Sequence, residues 1–347
     1  MKAIIAPAPL PISDPRSLQD ADLPDPGPPE GHDLLVRVEA VSVNFLDIKM
    51  RLRSYTAAPS AGPRILGWDA AGVVEAVGEA VSLFRTGDAV FYAGSILRPG
   101  SNARYQLVDE RIVGPKPETL DFARAAALPL TSITAYEAII ERLGVERLGI
   151  ERDGQAAGRS LLIIGAAGGA GSMGIQIGRA LGLTVIATAS RPESAEWCRS
   201  LGAGAVIDHR AGLKNGLDAA GIGEVDYIFN CADTDSYWEP MIAALKPQGR
   251  ICSIVGAERP VDLRLLAAKS ASFSCESMFT RPVFGTTDLI EQHRLLGRIA
   301  RWIDDGTLKG TARESLTPIS AATLRAAHEK LESRATIGKI TLAGWAD

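Results

Sequence analysis

The stretch Leu161-Leu162-Ile163-Ile164-Gly165-Ala166-Ala167-Gly168-Gly169-Ala170-Gly171-Ser172-Met173-Gly174 constrains this chain more than any other. Four consecutive apolar residues read as a parallel strand buried on both faces. A glycine-rich turn follows, after which Met173, Ile177 and Leu181 take the i, i+4, i+8 spacing of one helix face. Strand, tight turn and helix in that order build a phosphate site. Small residues let the backbone approach a pyrophosphate, and free N–H groups and the helix dipole supply positive charge. The glycines at 165, 168 and 171 are spaced G-x-x-G-x-x-G, one residue looser than the usual dinucleotide fingerprint. Such turns also serve plain helix–strand packing, so the flanking strand and helix carry the dinucleotide reading. Gly165, Ala167, Gly168, Gly169, Ala170 and Gly171 are the candidate cofactor-binding residues.

Strands and helices alternate onward from this turn: Thr184–Thr188, a helix to Leu201, Ala205–Ile207, Tyr227–Phe229, a helix to Leu245, and Ile251–Val255. Gly182, Gly202 and the Pro247/Gly249 pair stand where helices should stop. This is a doubly wound βαβ pattern, with a last strand around Ser272–Met278. The second strand indicates the cofactor. NAD sites place an Asp or Glu about 20 residues after the glycine turn, to accept from the ribose 2′-OH. Here the strand runs out as Ala187-Thr188-Ala189-Ser190-Arg191-Pro192, with no carboxylate before Glu193. Ser190 and Arg191 suit a 2′-phosphate, Arg191 through a charge-assisted pair, so the expected cofactor is NADPH.

The first third reads differently. Lys2–Ile5, Leu34–Val43, Gly72–Val77, Asp88–Tyr92 and Ala103–Val108 are short strand candidates punctuated by glycine and proline turns. They suggest a small antiparallel barrel. Polar residues interrupt it at Val43-Asn44-Phe45-Leu46-Asp47 and Leu66-Gly67-Trp68-Asp69. Asn44 and Asp47 could simply cap a following helix, and Asp69 could pair with a nearby Arg. From about Asp121 the periodicity becomes helical, and Arg152–Gly158 reads as a polar linker. Leu289, Leu296, Ile299 and Ile303 mark an amphipathic helix.

At 347 residues the chain has room for two domains with substantial cores. Its net charge of −4 leaves no footprint for nucleic acid. No apolar run is long enough to span a bilayer, and Lys2-Ala3-Ile4-Ile5 begins a strand rather than a signal peptide, so a cytoplasmic protein without a membrane partner is expected. Cys198, Cys231, Cys252 and Cys275 form no C-x-x-C pair, and they are expected to be buried small residues, with no bound metal and no disulfide.

Taken together, Val41–Asp47, Ile65–Gly78 (ILGWDAAGVVEAVG), Leu128–Ala138 (LPLTSITAYEA), Gly165–Gly171, Phe279-Thr280-Arg281 and Gly338-Lys339-Ile340 resemble the medium-chain dehydrogenase/reductase superfamily. The resemblance runs nearly end to end, and is strongest to the zinc-independent quinone oxidoreductase branch, whose members are often labelled zinc-type alcohol dehydrogenase-like. It implies an α/β fold in which a Rossmann doubly wound parallel sheet is inserted in a GroES-like β-barrel catalytic domain. The expected limits are 1–127 plus 281–347 for the catalytic part and 128–280 for the NADPH-binding part. A homodimer is expected too, because sixth strands in this superfamily commonly pair across a two-fold axis. Where the zinc enzymes carry Cys, His and Cys ligands, this chain has Asn44, Trp68 and Leu130. Catalytic zinc needs three protein ligands, and Trp and Leu supply none, so no metal is expected.

The resemblance also places residues. Asn44, Tyr55 and Thr134 would surround the nicotinamide and the acceptor, with Asp47 supporting the loop. His209, Asn230, Val255, Phe279 and Lys339 would approach the cofactor. Without a Lewis acid an ordinary ketone is a poor hydride acceptor, since every tenfold in rate corresponds to about 1.4 kcal/mol of barrier. A quinone or an α,β-unsaturated carbonyl spreads the arriving charge and can be served by hydrogen-bond donors. The expected activity is therefore NADPH-dependent reduction of a quinone or enone. The alternatives are a dedicated enoyl or carbonyl reductase of a biosynthetic pathway, and a non-enzymatic NADPH-binding protein.

Overall fold

The computed structural model describes residues 1–52, 63–145 and 158–345. These divide into two units. The first comprises Met1–Leu130, Phe279–Gly306 and Gly310–Asp347, and the second Thr131–Met278 with Thr307–Lys309. Relative to the expected limits, residues 128–130 and 279–280 go with the first unit and 307–309 with the second. The expected linker at Arg152 lies outside the described residues.

The second unit is a six-stranded, wholly parallel sheet. Its strands lie in the order Ala205–Ile207, Thr184–Thr188, Ser160–Ile164, Val225–Asn230, Leu245–Ser253, Ser272–Cys275. The order reverses at Ser160–Ile164, between Thr184–Thr188 on one side and Val225–Asn230 on the other, which makes the end of that strand the switch point where open α/β sheets bind ligands. Ser160–Ile164 is buried along its whole length, as its unbroken apolar run predicts. The following helix, Gly169–Ala180, buries Met173 and Ile177 completely. Leu162, Ile164, Ile186, Ile228, Met241 and Ile251 meet in the core on one face of the sheet.

In the first unit Asp33–Ser42 is the central strand, pairing antiparallel with Ala70–Val77, Tyr105–Asp109 and Lys339–Ala343. Its Leu34, Val36, Val38 and Ala40 are fully buried while Arg37 and Glu39 face outward, the alternation of a half-solvated strand. The strands of the first third pair antiparallel throughout, as expected, and the C-terminal part of the chain adds one parallel pair, Ala312–Leu316 beside Lys339–Ala343. That pairing is reached through the helix Ala321–Glu332, the crossover that parallel neighbours need. The predicted amphipathic helix is Glu291–Asp304. No helix among the described residues is long and apolar enough to cross a membrane.

The cysteine expectation is also corrected. Cys198 and Cys252 are buried, but Cys231 is only partly so, and Cys275 is exposed at the end of the outermost strand of the parallel sheet. All four are free thiols.

Candidate active site

The phosphate turn of the second unit is shaped by two glycines. Gly165 ends the first strand at φ +75°, a conformation that L side chains rarely adopt. A Cβ on Gly171 would stand 2.6 Å from Ala166 Cα and 2.6 Å from the Gly165 carbonyl, so the helix and turn can close only on a glycine. Gly168 caps the helix without a side chain, leaving the first-turn N–H groups unscreened. The turn is tied to the second strand by Thr188, whose Oγ1 accepts from Gly165 N at 3.1 Å. No sequence pattern had singled out Thr188. A pyrophosphate fits this cradle of small residues and open backbone donors.

Around it the strand ends are cross-linked. Asn230 is fully buried, and its Nδ2 donates to Thr234 Oγ1 and Ser253 Oγ, both at 3.1 Å, while Oδ1 accepts from Ala232 N. The Val255 carbonyl accepts from Ser253 Oγ at 2.9 Å and from Thr234 Oγ1. Asn230 thus builds the rim of the sheet with all its polar atoms engaged. On the opposite flank, His209 Nδ1 and the Tyr237 hydroxyl are 2.9 Å apart. Thr134 is buried in the helix Pro129–Tyr136.

The first unit holds a second polar cluster, buried around Asn44. Asn44 is the N-cap of the short helix Phe45–Arg51, and its backbone N–H donates to Asp47 Oδ2 at 2.7 Å. Its side-chain Nδ2 donates to Asp69 Oδ2 at 2.9 Å and only loosely, at 3.5 Å, to the Trp68 carbonyl. Lys339 Nζ donates to the Val43 carbonyl at 2.8 Å, to Asp69 Oδ2 at 2.9 Å and to Asn44 Oδ1. Asp69 Oδ1 accepts from Leu130 N at 2.7 Å. The lysine expected to face the cofactor is thus an ammonium with all three N–H directions taken by this cluster. Of the local alternatives raised, the helix cap at Asn44 is present, whereas the partner of Asp69 is Lys339, 270 residues away, rather than a nearby Arg.

Electrostatics follow from burial. Asp69 pairs directly with the Lys339 ammonium, and Asp47 feels that charge from farther off, both carboxyls being buried away from water. Burial pushes Asp47 up to about 7. Burial also raises Asp69, and the Lys339 charge and the hydrogen bonds it receives offset part of the rise.

A zinc ion does not fit these residues. Trp68 brings a fully buried indole, Leu130 only a backbone N–H, and the Lys339 ammonium already binds the oxygens of Asn44 and Asp69. No group of three or more His, Cys, Asp or Glu able to hold a metal occurs among the described residues. Phe279, nearly buried, precedes the five-residue helix Thr280–Phe284. Tyr55 lies outside the described residues.

Residues 30–118 match the model of the alcohol dehydrogenase GroES-like domain, and residues 201–342 that of the zinc-binding dehydrogenases. A zinc-type alcohol dehydrogenase-like protein of Staphylococcus aureus is 44% identical over 90% of this chain and 91% of its own length. An Arabidopsis thaliana NADPH-dependent alkenal/one oxidoreductase is 32% identical over 68% of this chain and 58% of its own. The crystal structure of Escherichia coli quinone oxidoreductase complexed with NADPH is similar with a TM-score of 0.80 at 25% identity, covering 99% of this chain and 100% of that one. With a Rossmann unit, a GroES-like unit and these relatives, the chain belongs to the medium-chain dehydrogenase/reductase superfamily and is an oxidoreductase with a pyridine-nucleotide-binding fold.

Proposed function

We propose that the protein is a zinc-independent reductase that uses NADPH to reduce a quinone or an α,β-unsaturated carbonyl. One observation carries this reading: the Asn44–Asp69–Lys339 cluster puts a lysine ammonium, satisfied by protein oxygens, among the positions from which the zinc enzymes draw their ligands. Bound NADPH supplies the hydride. The chain's own part is to bind, orient and donate. The glycine turn receives the pyrophosphate through backbone N–H groups, and Ser190 and Arg191 face the 2′-phosphate.

At the acceptor, Asn44 is the donor. Its second N–H makes only the weak 3.5 Å contact to the Trp68 carbonyl and so keeps donor capacity for an acceptor oxygen, while Lys339 and Asp69 hold the amide plane in place. A hydrogen bond of this kind suffices only where the acceptor delocalises charge, which selects quinones and enones over plain ketones. The alkenal/one oxidoreductase and quinone oxidoreductase relatives support the same acceptor class.

The test is NADPH oxidation followed with a panel of quinones, 2-enones and saturated ketones, on protein dialysed against chelator and assayed for metal. Turnover of the conjugated acceptors alone, with no zinc per chain, is the expected result. A stoichiometric zinc whose removal abolishes turnover, or ketones reduced as fast as quinones, would overturn the reading.

A further inference from the structure

Among the described strands, Tyr105–Asp109 pairs only with Asp33–Ser42. Beside it, the turn that follows Ala89–Tyr92 and the stretch from Pro282 to Leu289 enclose a cavity of about 220 Å³. Its lining belongs wholly to the first unit, and none of Asn44, Asp69 or Lys339 contributes to it. An apolar cavity of about 150 Å³ holds one benzene ring, so this one admits a single substituted ring.

The walls specify the chemistry of that ring. Leu97, Leu107, Ile112, Pro282 and Leu289 make them mostly apolar. Both charged residues of the lining already have partners. Arg98 donates Nη1 and Nη2 to the two oxygens of Asp33 at 2.7 and 2.8 Å. Asp109 accepts from Arg111 Nε at 2.9 Å and from its Nη2 at 2.6 Å. Two neutral polar groups keep hydrogen-bonding capacity. Gln106, only 5% exposed, donates Nε2 to the Pro99 carbonyl at 2.9 Å, while its Oε1 is buried without a partner. Ser95 Oγ accepts from Leu97 N at 3.3 Å, and its hydroxyl donates to none of the described residues. A buried acceptor left without a donor is destabilising, and a ligand O–H relieves it.

We propose that this cavity binds a neutral, single-ring ligand carrying a hydroxyl, a phenol, whose O–H donates to Gln106 Oε1 and whose oxygen accepts from the Ser95 hydroxyl. A carboxylate gains nothing here, because Asp33 already matches the Arg98 guanidinium. An ether of the same shape fits the walls but has no proton for Gln106. Hydroquinones, the products of quinone reduction, are phenols and quinones are not, so the site separates product from acceptor; this last link rests on the function proposed above.

Calorimetric titration of the intact protein with phenol and with anisole tests the site without cofactor or turnover, so its outcome is independent of that function. Wild type is expected to bind phenol about five- to tenfold more tightly than anisole, the scale of one hydrogen bond. Gln106→Leu should bring phenol down to the level of anisole and leave anisole unchanged. Leu97 is half exposed at the rim, so Leu97→Trp should fill the cavity and abolish binding of both ligands with the thermal midpoint unchanged. No phenol binding at millimolar concentration, or equal affinity of the wild type for phenol and anisole, overturns the proposal. So does an equal loss of both ligands in Gln106→Leu, which would reduce Gln106 to a packing role. Phenol retained by Leu97→Trp would show that it sits elsewhere, and the assignment fails on that result too.

Discussion

Lys339 and Asp69 have side chains only 4% and 0% exposed, so neither charge has water to fall back on. Removing one partner of such a pair costs about 3–5 kcal/mol, because the other is left buried and uncompensated. Lys339→Met should destabilise the protein by about that amount, and Lys339→Met with Asp69→Asn should recover much of it. Urea denaturation near neutral pH reads both. Two other buried groups titrate with opposite sign. His328 is fully buried near Arg51, and burial chiefly, with that charge second, lowers it from 6.5 to about 3. Its contribution is complete above pH 6.5 and is lost as pH falls toward 3. Asp47 is raised from 3.8 to about 7, so the folded protein holds the extra proton between those values. Its contribution is complete below 3.8 and lost as pH rises through 7. Each slope reaches at most about 1.4 kcal/mol per pH unit, and over the shared window the two offset each other. His328→Leu should make stability rise as pH falls from 7 toward 4, and Asp47→Asn should make it fall below 6.5, in urea midpoints taken across that range.

The glycine turn is the element most exposed to a single change. Gly171→Val would drive its Cβ into the Ala166 backbone, which has no flexible end to yield, so the turn must open. Affinity for NADPH is expected to fall by at least about tenfold, with the parallel sheet intact by circular dichroism. The strand, turn and helix were legible because each has a short-range signature: an apolar run, closely spaced glycines, and a 3.6-residue stripe in Met173, Ile177 and Leu181. The strands Ala312–Leu316 and Lys339–Ala343 were not. Ala312–Leu316 alternates exposed and half-buried residues with charges at Arg313 and Glu314, a pattern that resembles a solvated loop until its partner is known. The cluster at Asn44 was half legible. Its polar residues stood out against the strand, but the lysine that completes it lies 295 residues away.

For the whole molecule, the terminal strand Ser272–Cys275 of the six-stranded sheet is paired on one side only among the described residues. An unpaired edge of this kind invites a second copy, and a homodimer formed through it is the expected state. Glu276 N donates to the Ser253 carbonyl of the neighbouring strand, so by alternation the Cys275 N–H faces the open edge; Cys275→Pro removes that donor and should shift the mass measured by light scattering from dimer to monomer, while a wild-type monomer at micromolar concentration would refute the pairing. By itself the sequence determined the class of each unit, their order along the chain and the phosphate turn, since these rest on periods of two and 3.6 residues and on local backbone demands. Tertiary structure decided the rest. It alone could bring Lys339 to Asp69 across 270 residues and set Tyr237 against His209. A buried charge or a tautomer is settled by whichever group the fold delivers to it, and a partner so distant in sequence leaves no mark on the residues beside it.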